Sequence, residues 1–200
     1  MKSSKTNYHH GDLPKVLLQT ATQLIAEGGI EALTMRKLAE RSNVSRTAPY
    51  HHYKDKNELL CAIAEQGFYQ QDQVLLNLPS RYPELDSREL FEKYVLAYIH
   101  YAYEHQETYD LMFGKEIWKL GEPTDSLQQV SKASFRCWVE WIEQLQNQQI
   151  ITAEHSALRV AQASWGTLHG LCRLLIDGIY LNPDDLEEMG RTAVSMLLNR

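Results

Sequence analysis

The chain has 200 residues, 44% of them hydrophobic and 23% charged, proportions that suit one sizeable core or a small domain joined to a larger one. No run reaches the ~18 apolar residues of a membrane span. The polar start MKSSKTNYHH has no signal-peptide core, and Cys61, Cys137 and Cys172 lie far apart without a CxxC pair. A membrane protein, a disulfide scaffold and a zinc knuckle are therefore set aside, and a cytoplasmic location is expected. The net charge of -6 is unevenly spread: residues 1–60 carry nine Lys and Arg against six Asp and Glu, the rest eleven against twenty. A basic end on an acidic body suits a chain whose first part meets phosphates.

Helical periodicity runs between Gly and Pro punctuation, and no strict alternation long enough for a strand occurs, so the fold class is all-α with about nine helices. The first helix is expected from Leu13 to Ala26, capped by Asp12, with Leu17, Ala21, Leu24 and Ile25 inward and Gly28-Gly29 as its end. Thr34 caps a short second helix, Met35 to Arg41, with Leu38 and Ala39 inward. After Ser42-Asn43-Val44, Ser45 is expected to cap a third helix reaching Tyr53. A longer helix starts near Asn57 and is expected to stop at Pro79. Further helices are expected at about Ser87–His105, Thr108–Gly114, Asp125–Gln148, Ala153–Gly178 and Asp184–Asn199.

Thr34 to Tyr53 has the spacing of a helix-turn-helix. Leu38 and Ala39 face inward, Ala39 is small enough for a close crossing, Val44 plugs the angle, and Asn43 tolerates the left-handed backbone of a tight turn. The second helix of such a motif enters the major groove. Ser45 to Tyr53 is therefore the expected reading surface, with Pro49 inside it and tolerated by its early position. Arg46 suits guanine, Thr47 a base edge or thymine methyl, Tyr50 and His51 phosphates, and Ser45 and Lys56 are phosphate anchors. The plainer alternative is a helical hairpin with a basic patch; the coincidence of cap, small crossing residue, turn residue and exposed polar helix ranks it second.

Toward the C-terminus, Leu158, Ala161, Trp165, Leu168, Cys172, Leu175 and Ile179 recur at 3-4 spacing, and Val160, Ser164, Thr167, Leu171 and Leu174 form a second stripe beside them. A helix apolar on two sides must be covered on two sides. One stripe is expected to meet a second copy of the chain, paired with a last helix carrying Leu186, Met189, Ala193, Met196 and Leu197. The expected dimer contacts are Leu158, Ala161, Leu168, Cys172, Leu175, Ala193, Met196 and Leu197. A central core helix in a monomer is the alternative, and the need to span two operator half-sites favours the dimer.

Residues 8–60 resemble the DNA-binding domain of the tetracycline-repressor-like (TetR) family of bacterial regulators. The matching elements are Glu27-Gly28-Gly29, Leu33-Thr34-Met35-Arg36-Lys37-Leu38-Ala39, Val44-Ser45-Arg46, Tyr50-His51-His52-Tyr53 and Lys56-Asn57-Glu58-Leu59-Leu60. Asn43 stands where the family usually has Gly, and Pro49 where an aliphatic residue is frequent. Tyr8-His9-His10-Gly11-Asp12-Leu13 and Trp165-Gly166-Thr167-Leu168-His169-Gly170 resemble a subgroup with a Trp-His-Gly signature.

The resemblance implies a DNA-binding domain at 1–56 and a dimerisation and ligand-sensing helical domain at 57–200. It implies that Tyr50 and Lys56 grip the backbone, that Thr34 and Arg36 support them, and that Arg46 and Thr47 read bases. It also implies a cavity for a small, largely apolar effector, expected among Phe68, Tyr98, Tyr101, His105, Phe113, Trp138, Trp141, Trp165 and His169. The expected function is a homodimeric repressor released from a palindromic double-stranded operator by that effector, with no cofactor or metal.

Two rival readings come from other classes. An all-α enzyme lacks a convincing constellation: there is no HExxH or nucleophile elbow, His51 and His52 point apart on a helix, and Asp184-Asp185 with Glu187-Glu188 read as a solvated helix start. A helical adaptor dimer without a DNA target is separated from the repressor by a DNA-binding assay.

Overall fold

Residues 13–179 and 182–198 are described by a computed structural model, and helices occupy most of them. Asp12, the expected first cap, and the His9-His10 pair lie outside the described residues, as does Asn199. The helices are α1 (Leu13–Ala32), α2 (Met35–Arg41), α3 (Lys56–Arg81), α4 (Ser87–Glu104), α5 (Gln106–Phe113), α6 (Lys115–Trp118), α7 (Asp125–Asn147), α8 (Ala157–Ile176) and α9 (Leu186–Leu197). Ala48–His51 and Pro183–Asp185 are short 3-10 turns. The only isolated bridge among the described residues pairs Ile151 with Leu198.

Local chemistry explains most boundaries. In α1 the regular helix breaks at Gly28-Gly29, where Gly29 takes φ 71°, a value glycine adopts at little cost, and one further turn leads to Ala32. Asp55 caps α3 by accepting the Glu58 N–H at 2.9 Å, so that helix starts at Lys56. Asp86 and Glu89 form a reciprocal capping box at the start of α4. Thr124 caps α7 through the Leu127 N–H at 3.2 Å.

Three expected boundaries are corrected. Pro79 does not stop α3, which continues to Arg81: so near a helix end, the missing N–H removes a single bond, and the Tyr82 N–H still reaches the Leu78 carbonyl at 2.9 Å. Helix α8 begins at Ala157 rather than Ala153, where the Arg159 and Val160 N–H groups both turn back to the Ser156 carbonyl. The third helix expected from Ser45 to Tyr53 is only the 3-10 turn Ala48–His51.

Two buried clusters organise the molecule. Leu17, Leu24, Leu38, Leu59 and Ile63 join α1, α2 and α3, and Leu111, Met112 and Ile117 of α5 and α6 complete that core. Phe91, Val95, Ile99, Trp138, Ile142 and Leu168 form the second core, where α4, α7, α8 and α9 meet. Each large side chain so buried contributes about 1.5–3 kcal/mol relative to exposure. Gly67 lets α3 and α5 cross closely: a Cβ there would sit 2.4 Å from Met112 Sδ and 2.9 Å from Thr108 Cγ2.

Candidate nucleic-acid interface and ligand cavity

The α2 N-terminus is fixed by Thr34, whose Oγ1 accepts the Lys37 N–H at 3.1 Å. Leu38 and Ala39 are fully buried beneath it. The following turn bends back tightly: the N–H groups of Ser42, Asn43 and Val44 donate to the carbonyls of Leu38, Glu40 and Ala39 at 2.9, 3.1 and 3.0 Å. Asn43 takes φ 54°, the left-handed conformation expected of it.

The next segment departs from a regular helix for a reason written in its sequence. Ala48 donates to the Ser45 carbonyl at 3.0 Å and Tyr50 to the Thr47 carbonyl at 3.1 Å, both at three-residue spacing. Pro49 has no N–H for the four-residue bond an α-helix would place there, so the turn winds tighter. Ser45 does not cap it; its hydroxyl pairs with that of Thr47 at 3.1 Å. Pro49 itself, expected on the reading surface, turns inward and is buried. What remains outward is a contiguous polar surface of Ser45, Arg46, Thr47, Tyr50 and His51, with Tyr50 54% exposed. Thr34 and Arg36 are exposed at the start of α2.

Lys56 plays a part that spacing did not reveal. Its ammonium donates to the Ile30 carbonyl at 2.6 Å, tying the start of α3 to the last turn of α1. A lysine ammonium carries three N–H donors, so this bond leaves others able to meet a phosphate. Arg41 is engaged by Glu27 through two contacts, one of 2.6 Å, and that guanidinium holds the Glu27 carboxyl below its usual range.

Between the two cores lies a cavity of about 550 Å³. Helix α3 contributes Phe68 and Gln71, α4 Tyr94 and Tyr98, α5 and α6 Met112, Phe113 and Trp118. Helix α7 supplies Ser131, Ser134, Phe135 and Trp138, and α8 supplies Gln162, Trp165 and Leu168. Edge-on rings of Phe68 and Phe113, with centroids 5.3 Å apart, span the seam between the cores.

Five expected cavity residues, Phe68, Tyr98, Phe113, Trp138 and Trp165, are brought together here. Four are not among the lining residues. The Tyr101 hydroxyl donates to Gln70 Oε1 at 2.9 Å, and its ring packs on His105 at 4.6 Å. Trp141 is held in the second core against Phe91 and Tyr94. His169 lies behind Trp165, rings nearly parallel and 5.0 Å apart, with Nδ1 2.7 Å from the Tyr109 hydroxyl. Burial, reinforced by Arg173, holds the His169 pKa below its ordinary value. The expected set lacked Gln71, Tyr94, Met112, Trp118, Ser131, Ser134, Phe135, Gln162 and Gly166, and Leu168 was expected at the dimer contact instead. The signal for Gln71 was its place one helical turn from Phe68, where an apolar residue would be usual.

The outer faces of α8 and α9 differ from expectation too. Ala161, Leu168, Cys172 and Leu175 are buried within their own chain, where α8 packs on α4 and α7, and Ala193 is buried where α9 packs on α4 and α8. The second stripe is split: Val160 and Ser164 are buried, Leu171 is half-buried, and Thr167 and Leu174 are exposed, as are Ala163 and Gly166 beside them and Leu158 of the first stripe. On α9, Thr192 and Met196 are exposed, Met196 by 79%, and Leu197 is half-buried. No helix among the described residues is long and apolar enough to cross a membrane.

Residues 17–63 match the family described as bacterial regulatory proteins, tetR family, and residues 91–197 match the tetracyclin repressor-like C-terminal domain. The chain is 44% identical over 52 residues to the tetracycline repressor protein class A from transposon 1721 of Escherichia coli, covering 26% of this chain and 24% of that protein. It is 33% identical over 94 residues to the HTH-type transcriptional repressor AcnR of Corynebacterium efficiens, covering 39% of this chain and 50% of that one. The matches thus span a quarter to a half of the curated relatives' length. A solved structure of a protein of unknown function from Rhodococcus sp. RHA1 superposes with TM-score 0.77 at 28% identity, covering 98% of this chain and 100% of that one. With both domains matched in order, the chain belongs to the TetR family of bacterial regulatory proteins.

Proposed function

We propose that the protein is a homodimeric transcriptional repressor that binds a palindromic operator and is released by a small, largely apolar effector. The observation that carries the reading is the outward polar surface Ser45–His51, set after the turn of a helix-turn-helix and bearing Arg46 and Thr47 free of the core. Arg46 supplies a bidentate donor for guanine, Thr47 contacts a base edge, and Tyr50, His51, Thr34, Arg36 and Lys56 hold phosphates. Two copies pair through the exposed stripe Ala163, Gly166, Thr167 and Leu174 of α8 with Thr192 and Met196 of α9, whose small residues allow close helix approach. The account involves no catalysis and places the protein in the cytoplasm with its DNA.

The effector occupies the cavity between the two cores. Helix α3 lines that cavity with Phe68 and begins at Lys56 against the DNA-binding helices, so a ligand that favours a shifted α3 changes the placement of the reading surface. By linkage, an effector that weakens operator binding is itself bound more weakly by the operator complex, by the same factor. A mobility-shift titration against DNA flanking the protein's own coding region tests the reading. Specific binding whose affinity falls steeply with salt supports it, and salt-insensitive or absent binding refutes it.

A further inference from the structure

The cavity is mostly apolar, and a buried amide in its wall goes unanswered. Gln71 is only 3% exposed, it lines the cavity, and neither its amide nitrogen nor its amide oxygen has a hydrogen-bond partner. A buried amide left unpaired is costly, so such a group in a cavity wall points to something that pairs with it.

Most of the other polar side chains of the wall are engaged. Tyr98 pairs with the Tyr109 hydroxyl at 3.0 Å, the Trp118 indole donates to the Met112 carbonyl at 2.8 Å, and the Trp138 indole donates to the Ala161 carbonyl at 3.1 Å. The Ser134 hydroxyl donates to Asp72 Oδ1 at 2.6 Å, which leaves its oxygen lone pairs to accept. None of the lining residues is Lys, Arg, His, Asp or Glu. A charged ligand would lose its hydration there without a counter-charge.

The geometry points to the effector's chemical class: a neutral, flat, mostly aromatic molecule bearing an adjacent donor and acceptor, as in a carboxamide or lactam, which the Gln71 amide reads as a complementary pair. The inference rests on the proposed effector cavity and adds the residue that selects within it. Gln71 stands one turn beyond Phe68 on α3, so the recognition is made on the helix that reaches the DNA-binding domain.

The test uses the full chain and three probes of one skeleton: pyrene, pyrene-1-carboxamide and pyrene-1-carboxylate. Binding is read by quenching of tryptophan fluorescence, since Trp118, Trp138 and Trp165 line the cavity. The carboxamide is expected to bind about tenfold more tightly than pyrene or the carboxylate, and Gln71→Met to abolish that preference while keeping pyrene affinity. Without ligand, Gln71→Met should raise Tm by about 2–4 °C, because an unpaired buried amide is removed.

A preference that survives Gln71→Met overturns the proposal. So does tightest binding of the carboxylate, the absence of quenching by all three probes, or a lower Tm in the ligand-free variant. A Gln71-dependent preference for the carboxamide that leaves operator binding untouched upholds the recognition and refutes the effector reading, so the two failures are distinguishable.

Discussion

Arg46 and Lys56 are both basic and close in sequence, yet they do different work in the proposed complex. Arg46 stands exposed, whereas Lys56 also joins α3 to α1 through the Ile30 carbonyl. Arg46→Ala is expected to cost about 1–3 kcal/mol of operator affinity and relax sequence preference at one base step, with Tm unchanged. Lys56→Met is expected to weaken binding to all duplexes alike, reduce the salt slope by about 1 and also lower Tm. Competition binding with single-base operator variants and a thermal melt separate the two. His169 carries a pH signature: burial lowers its folded pKa, so as pH falls below about 6.5 the unfolded chain takes up the proton first. The stability it contributes is present above that value and lost below it. His169→Gln should flatten the dependence of Tm on pH between about 5 and 7, and an unchanged slope would remove His169 as its source.

At the scale of elements, periodicity and caps carried much of the fold. Thr34, Leu38, Ala39 and Asn43 each sit as their residue type demands, and α2 begins and ends where its cap and turn placed it. The reading segment was harder because Pro49 has two effects at once: it removes an α-helical bond and offers an apolar ring to the core. Position suggested tolerance, and only packing shows that the ring faces inward. For α8 the sequence shows two apolar stripes but not their order of use, since a stripe facing its own core and one facing a partner have the same composition. In the cavity, aromatic residues were legible as a group, but Trp141 and His169 differ from Trp138 and Trp165 only by where neighbouring helices cross. The α3–α5 crossing has its own test. Gly67→Ala gains helix propensity of about 1 kcal/mol but forces Met112 and the β-branched Thr108 to move, a cost of about 1–3 kcal/mol. A lowered Tm is expected; a raised one would show that the contact yields freely.

For the whole molecule, the arrangement is a DNA-reading core and a body core that share a cavity at their seam, with α3 running through both. The DNA-side core includes Met112 of α5, and Met112 also lines the cavity, so a ligand there touches both α3 and the helix packed beneath it. Pairing of two such molecules through the outer faces of α8 and α9 would set the spacing of two reading surfaces. Leu174→Lys combined with Met196→Lys should convert the dimer to monomer in sedimentation velocity, leave helical content unchanged, and weaken operator binding far more than binding to a half-site. A variant that stays dimeric would move the interface elsewhere.

The central claim, sequence-specific DNA recognition by the surface Ser45–His51, is tested most directly by selecting duplexes from a random library with the purified protein and its Arg46→Ala variant. The account predicts enrichment of a palindrome with two half-sites by the unaltered protein, and loss of at least one guanine preference per half-site with Arg46→Ala. No enriched sequence, or an identical one from the variant, would contradict it.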